Sequence, residues 1–176
     1  MHRTPCGVDN LNRLLQAALN PPAPEQAEVR NRTLTFRVGD KVMQTKNDYT
    51  KGVFNGDIGF IREVSADGVK VRYSEELTAD YEPNELMMLT LASAMSVHKS
   101  QGSEYPVIVL PLVAAHHIML QRNLLYTAVT RAKKKVVLLG SKAAVFTAVS
   151  NDRTRRRYTL LAERLAGAGG ESPLLS

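Results

Sequence analysis

Between residues 39 and 68 the chain carries three turn signals: Gly39-Asp40, Asn55-Gly56-Asp57 and Asp67-Gly68. Around them apolar and polar residues alternate, in Lys41-Val42-Met43-Gln44-Thr45-Lys46, Ile58-Gly59-Phe60-Ile61-Arg62-Glu63-Val64 and Val69-Lys70-Val71-Arg72-Tyr73. Alternation is the period of a half-buried strand, and Gly beside Asn or Asp supplies the backbone of a tight turn. Strands this closely spaced leave no room for the long crossovers that parallel pairing needs. Residues 31–86 therefore read as a small antiparallel β-barrel or sandwich. About fifty residues bury little surface on their own, so an insertion within a larger domain is expected.

The flanks follow another pattern. Asp9 or Asn10 can cap a helix with apolar positions Leu11, Leu14, Leu15, Ala18 and Leu19, stopped by Pro21-Pro22. Residues 21–30 read as a Pro-rich acidic linker. A strand is predicted over Leu89 to Val97, buried strands over Val107–Leu110 and Val136–Leu139, and a helix over Arg122–Arg131. Lys142–Val149 and Arg157–Ala166 are helix candidates, while His116–Leu120 fits either element. The expected fold is α/β: a parallel-sheet domain of residues 1–30 and 87–166, interrupted by the barrel at 31–86, with a flexible tail at 167–176. A loop and a helix come first with no strand before them, so the domain reads as entered part-way through.

The length of 176 residues suits one domain with an insertion. A net charge of +6 makes a polyanionic partner plausible, and a solvated basic surface equally so. No apolar run reaches the ~20 residues of a membrane span, and no signal-peptide pattern opens the chain, so no membrane partner and a cytoplasmic location are expected. Cys6 is the single cysteine, which excludes an internal disulfide and fits a reducing compartment. His116 and His117 are adjacent and face different ways, so no metal site is expected.

Two polar segments can carry chemistry. Ser96-Val97-His98-Lys99-Ser100-Gln101-Gly102-Ser103-Glu104 follows an apolar run and precedes another, so it lies at a sheet edge, where α/β proteins hold ligands. Gly102 permits close backbone approach, Glu104 suits ribose hydroxyls, and Ser96 and His98 suit phosphate oxygens. Alone, His98 reads better as a surface imidazole. The second segment is Tyr126-Thr127-Ala128-Val129-Thr130-Arg131-Ala132-Lys133. An arginine at that helix end can fork onto phosphate and stabilise charge in phosphoryl transfer. Alone, Arg131 reads better as a cation favoured by the helix dipole, followed by a solvated lysine run.

Together the segments resemble the C-terminal motor half of superfamily 1 helicases, most closely the RecD-like and TraA-like DNA helicases. Ser96 to Tyr105 resembles helicase motif V, and Asn123 to Lys134 resembles motif VI, with a buried strand between. Met1 to Asn12 resembles the motif IV region, and Asp40-Lys41-Val42-Met43-Gln44 with Asn55-Gly56-Asp57-Ile58-Gly59 resembles the inserted SH3-like barrel of RecD-like enzymes. The resemblance covers roughly residues 1–142. It implies a partial RecA-like, P-loop NTPase-type domain, the second of two motor domains, with Arg131 at the ATP γ-phosphate. It also implies Gly102, Glu104, Gln101 and Arg3 at the nucleotide, and Ser96 and His98 facing single-stranded DNA. On the barrel, Lys46, Tyr49 and Lys51 lie on a loop suited to touching that strand. Stacking by Tyr49 would be sequence-tolerant, and a plain exposed loop tyrosine is as good a reading.

No G-x-x-x-x-G-K-[ST] loop occurs in the chain, nor an apolar strand ending in Asp-Glu. ATP and Mg²⁺ then belong to the complete enzyme, between this domain and an N-terminal RecA-like partner domain, and neither is expected on this chain alone. The activity implied is ATP-dependent, 5′→3′ unwinding of duplex DNA in recombination or repair, with this chain inactive by itself. Two readings compete: a non-enzymatic nucleic-acid or protein interaction module, for which the barrel and Arg153-Thr154-Arg155-Arg156-Arg157 suffice, and the helicase part of a conjugative relaxase.

Overall fold

The computed structural model describes residues 6–31, 33–113 and 120–152. Arg3, the His116-His117 pair, the arginine-rich 153–157, the helix expected over 157–166 and the tail at 167–176 lie outside the described residues.

The element order is α1 (Val8–Leu19), β1 (Glu28–Asn31), β2 (Leu34–Arg37), β3 (Lys41–Gln44), β4 (Ile58–Ser65), β5 (Gly68–Arg72), β6 (Thr78–Tyr81), a 3₁₀ turn (Glu85–Met88) and β7 (Leu89–Leu91). β8 (Tyr105–Leu112), α2 (Arg122–Val129), β9 (Ala132–Gly140) and α3 (Lys142–Ser150) follow. Strands β6-β5-β4-β3-β7 form one antiparallel sheet, and the β1–β2 hairpin lies over it through contacts with β4 and β7. Alternation does its expected work: Val42, Ile61, Val69, Val71, Ala79 and Tyr81 point inward and meet Phe36 in one core. Gly68 turns β4 into β5 at φ +135°, where a Cβ would collide with the Tyr81 carbonyl, so only glycine fits.

A polar chain crosses this core. Tyr81 donates to Gln44 Oε1 at 3.0 Å and shares a 2.7 Å hydrogen bond with the Tyr73 hydroxyl. Gln44 is fully buried, so the tyrosine satisfies an amide that would otherwise cost its full desolvation. Burial, then the Tyr81 hydroxyl, pushes Tyr73 far above the usual phenol range, so both tyrosines stay neutral.

Beyond β7 the chain builds a βαβ unit. β8 and β9 pair in parallel, with Tyr105 opposite Ala132 and Leu112 opposite Gly140, and α2 lies between them in sequence. Leu112, Leu120, Ala144 and Ala148 form a small second core. Mixed α/β structure with an antiparallel sheet and a parallel pair thus matches the coarse expectation.

Three local expectations fail, and one strand goes unanticipated. Residues 28–31 form a strand paired with β2, not linker, because Val29 and Leu34 cover the first core. Thr78–Tyr81 is a further strand, whose alternation was hidden beside Glu75-Glu76. The strand expected over 89–97 stops at Leu91 and pairs with β3 in the antiparallel sheet, since Gln44, Met43 and Val42 hold its whole length. The strands expected to be buried at 107–110 and 136–139 expose Val107, Val109, Leu138 and Leu139, because the described part of the sheet is only two strands wide.

Candidate functional site

The segment Ser96–Glu104 is a wound loop rather than an extended one. Lys99 N and Ser100 N donate to the Ser96 carbonyl at 3.0 and 3.2 Å, and Gln101 N to that of His98 at 3.3 Å. Ser100 is buried and donates its hydroxyl to the Val97 carbonyl at 2.7 Å. This winding turns His98, Lys99, Gln101 and Gly102 outward and leaves Ser96 half-buried. Gly102 sits at φ +84° with open space where a Cβ would be, which frees its backbone for a ligand.

Both ends of the loop are anchored. Upstream, the Asn12 side chain takes both polar groups of Ala94: Nδ2 donates to the carbonyl at 2.9 Å and Oδ1 accepts from the N–H at 2.7 Å. Downstream, Tyr105 N donates to the Arg131 carbonyl at 2.8 Å. The Tyr105 hydroxyl donates to Met95 Sδ at 3.3 Å, and the Lys41 ammonium lies 5.7 Å from the Tyr105 ring centre.

Parallel pairing at the start of β8 and β9 brings the two polar segments together. Glu104 Oε2 is 2.9 Å from Lys133 Nζ across an exposed edge. The hydrogen bond from Lys133, with Arg131 adding its charge, holds the Glu104 carboxyl below the usual range. Arg131 caps the other side. Its backbone N–H donates to Ala128 at 3.2 Å and a guanidinium nitrogen approaches Thr130 Oγ1 at 3.5 Å. Arg131 Nε is buried with no hydrogen-bond partner among the described residues. An unpartnered guanidinium N–H as donor, with an outward glycine and a carboxylate acceptor on the facing segment, fits an anionic, hydroxyl-bearing ligand.

The barrel residues sit elsewhere. Lys46, Tyr49 and Lys51 follow Gln44, which pairs with Leu89, whereas the chain leaves for Ser96 past Leu91, at the other end of β7. Tyr49 is 80% exposed and makes an edge-to-face pair with Phe54, at 5.8 Å between ring centres. Lys46 is exposed, but Lys51 is engaged: its ammonium lies 2.6 Å from Glu85 Oε1 and 3.7 Å from Asp48 Oδ2. Asn12 and Phe54 carry no site assignment from the sequence, and Lys133, expected in a solvated run, is paired with Glu104. The first had a visible signal, the amides Asn12, Gln16 and Asn20 at helical spacing on one face.

Residues 11–79 match the family described as the ATP-dependent RecD-like DNA helicase SH3 domain, and residues 91–139 match the UvrD-like helicase C-terminal domain. The ATP-dependent RecD2 DNA helicase of Deinococcus radiodurans is 40% identical over 168 residues, which cover 92% of this chain and 22% of that protein. The RecBCD enzyme subunit RecD of Mycolicibacterium smegmatis is 34% identical over 167 residues, covering 95% of this chain and 28% of that one. This chain therefore spans roughly a quarter of the length of these relatives. A structure of two coordinating Pif1 helicases at forked double-stranded DNA superposes with a TM-score of 0.59 at 21% identity, over 92% of this chain and 43% of that one. Pif1 from Bacteroides in complex with ADP-AlF3 and single-stranded DNA gives 0.55 at 19% identity, with the same coverage.

Proposed function

Because this chain belongs to the RecD-like helicases, we propose that it is the second motor domain of an ATP-dependent DNA helicase and forms one wall of its ATP cleft. Residues of the α/β part are the RecA-like half, and the antiparallel sheet with its covering hairpin is the inserted SH3-like barrel. The observation that carries the reading is the meeting of Gly102–Glu104 with Arg131, whose Nε is buried and unpartnered. ATP, when bound, supplies the phosphoryl group whose charge an arginine stabilises. Arg131 binds phosphate oxygen through its planar fork, and the Thr130 hydroxyl and the Ala128 carbonyl steady it. Glu104 accepts from ribose hydroxyls, with Gln101 and the Gly102 backbone beside it.

Ser96 and His98 lie on the same loop and face single-stranded DNA. One wound segment thus carries both the nucleotide-facing and the strand-facing groups. A change of grip at one end is felt at the other within a few residues. Lys46 and Tyr49 extend the strand contact onto the barrel. Lys51 is left out, because its charge is already matched by Glu85 and Asp48. The partner across the cleft is an N-terminal RecA-like domain that brings the phosphate loop and Mg²⁺. Unwinding proceeds 5′→3′ and serves recombination or repair in the cytoplasm.

The test is Arg131→Ala in the complete helicase. DNA-stimulated ATP hydrolysis should fall by at least about 10³-fold, within the range seen for such arginines, while binding of an oligo-thymidine strand persists. Normal turnover would sink the arginine assignment. The isolated chain should hydrolyse no ATP, and DNA-stimulated hydrolysis by the pure 176-residue chain would overturn the two-domain reading.

A further inference from the structure

Helix α1 buries amides where its leucines were expected. Asn12 is 4% exposed and Gln16 9%, while Leu14 is 54% exposed and Leu19 73%. Asn12 holds Ala94, at the root of the Ser96–Glu104 loop. One turn on, Gln16 Nε2 donates to the Thr35 carbonyl at 2.8 Å and to Asp40 Oδ2 at 2.6 Å. One turn further, Asn20 Nδ2 donates to Asp40 Oδ1 at 2.7 Å and to the Val38 carbonyl at 3.0 Å. Asp40 is itself buried and accepts from Arg37 N at 2.8 Å. Spacing of four residues stacks the three amides along one side of the helix.

We propose that Asn12 is a positioning residue for the Ser96–Glu104 loop, and that the Asn12–Gln16–Asn20 ladder ties this loop and the barrel into one rigid body. A carboxamide sets an N–H donor beside a carbonyl acceptor in one plane, so Asn12 mimics the edge of a neighbouring strand and fixes Ala94 in both directions. Every side-chain nitrogen of the ladder is spent on backbone or on the buried Asp40 carboxylate. Such a network tolerates few alternative arrangements, because each broken member leaves a buried polar group unpaired. The loop's strand-facing and nucleotide-facing groups are then held in fixed register with Lys46 and Tyr49 at the far end of the barrel. That consequence rests on the helicase reading, while the rigid-body link stands on geometry alone.

The test uses hydrogen exchange on the 176-residue chain, read at the amides of Ala94, Lys99, Ser100 and Gln101. Asn12→Asp keeps the size of the side chain but cannot donate to the Ala94 carbonyl. It should speed exchange at these amides by about ten-fold, the cost of one unpaired buried group, and leave β4 and β5 slow. Gln16→Ala touches neither Ala94 nor the loop, yet the same amides should exchange several times faster because the ladder couples the two sites. The Asn12→Ala/Gln16→Ala pair should then be no faster than Asn12→Ala alone. Wild-type protection of the loop in Asn12→Asp, or additive effects in the pair, would overturn the proposal. In parallel, fluorescent oligo-thymidine should bind Asn12→Asp more weakly than wild type. Failure of the wild-type chain to bind it at low salt would count against the DNA reading and leave the exchange result to decide the ladder.

Discussion

The Lys51 ammonium reaches Glu85 and Asp48 while lying 5.4 Å from the centre of the Tyr81 ring. Its sequence context, a polar loop between two strands, matches that of a strand-binding lysine equally well. The difference lies in Glu85, thirty-four positions away, and sequence spacing carries no information about such pairs. Lys51→Ala is therefore expected to lower the urea midpoint by an amount worth up to about 1 kcal/mol. Its affinity for oligo-thymidine should change less than that of Tyr49→Ala, where a stacking ring is worth about 1–3 kcal/mol. Fluorescence anisotropy on both variants decides this. The pair also sets a pH dependence. The hydrogen bond from Lys51, then that from Glu82 N–H, holds the Glu85 carboxyl below its usual range. The unfolded chain takes up that proton more readily, so the contribution is complete above the unfolded value and is lost as pH falls through the folded one. Glu85→Gln should accordingly have a flatter acid limb than wild type in urea midpoints measured from pH 7 down to pH 3. Parallel acid limbs would remove Glu85 as a stabilising carboxylate.

At the scale of elements, turn chemistry and alternation located β3, β4 and β5 because each obeys a local rule. The motif-bearing loop was legible for the same reason: glycine, hydroxyls and charge cannot form a strand interior. Helix α1 was legible as a helix but not in its orientation. Leucine periodicity names an apolar face, and only the partner decides which face is buried. Here the partner is backbone at Ala94, Thr35 and Val38 together with Asp40, which amides match and leucines do not. β7 was misread for a related reason. Leu89-Thr90-Leu91 continues in sequence into Ala92-Ser93-Ala94, but its pairing partner β3 ends at Lys41, where Ala92 N makes the last bond to the sheet. Urea unfolding tests the orientation of α1 directly. Leu14→Gln and Leu19→Gln should each shift stability by no more than about 0.5 kcal/mol, as surface substitutions do. Gln16→Ala should cost about 1–3 kcal/mol by removing one of the donors to buried Asp40 and the side-chain donor to the Thr35 carbonyl. The reverse ranking would mean that the leucine face is the packed one.

Across the whole molecule the two cores are unequal, and that inequality bears on function. The first core gathers Phe36, Tyr81, Ile61 and Leu86, all at 1% exposure or less, between a five-stranded sheet and a hairpin. The second has Leu112, Leu120 and two alanines behind a two-stranded parallel pair. A parallel sheet is ordinarily covered on both faces. Yet Val107, Val109, Leu138 and Leu139 of β8 and β9 are 41–56% exposed. Composition alone did not disclose this, since an apolar run looks the same whether or not neighbouring strands cover it. Each fully buried aliphatic side chain contributes about 1.5–3 kcal/mol, so the βαβ part forgoes much of what its sequence offers. Native-state hydrogen exchange on this chain should therefore show two tiers. Amides of β3, β4 and β5 should exchange only through global unfolding, while those of β8 and β9 should open at lower free energy and lower urea. In the proposed helicase, β8 and β9 carry Glu104 and Arg131 at their starts, so further elements of the same domain packed on this sheet would stiffen the ATP-facing wall by covering these valines and leucines. The same amides measured within the complete protein should then join the slow tier. If β8 and β9 are as slow as β4 in the isolated chain, the parallel pair is self-sufficient and its exposed apolar residues play no part in ordering the site.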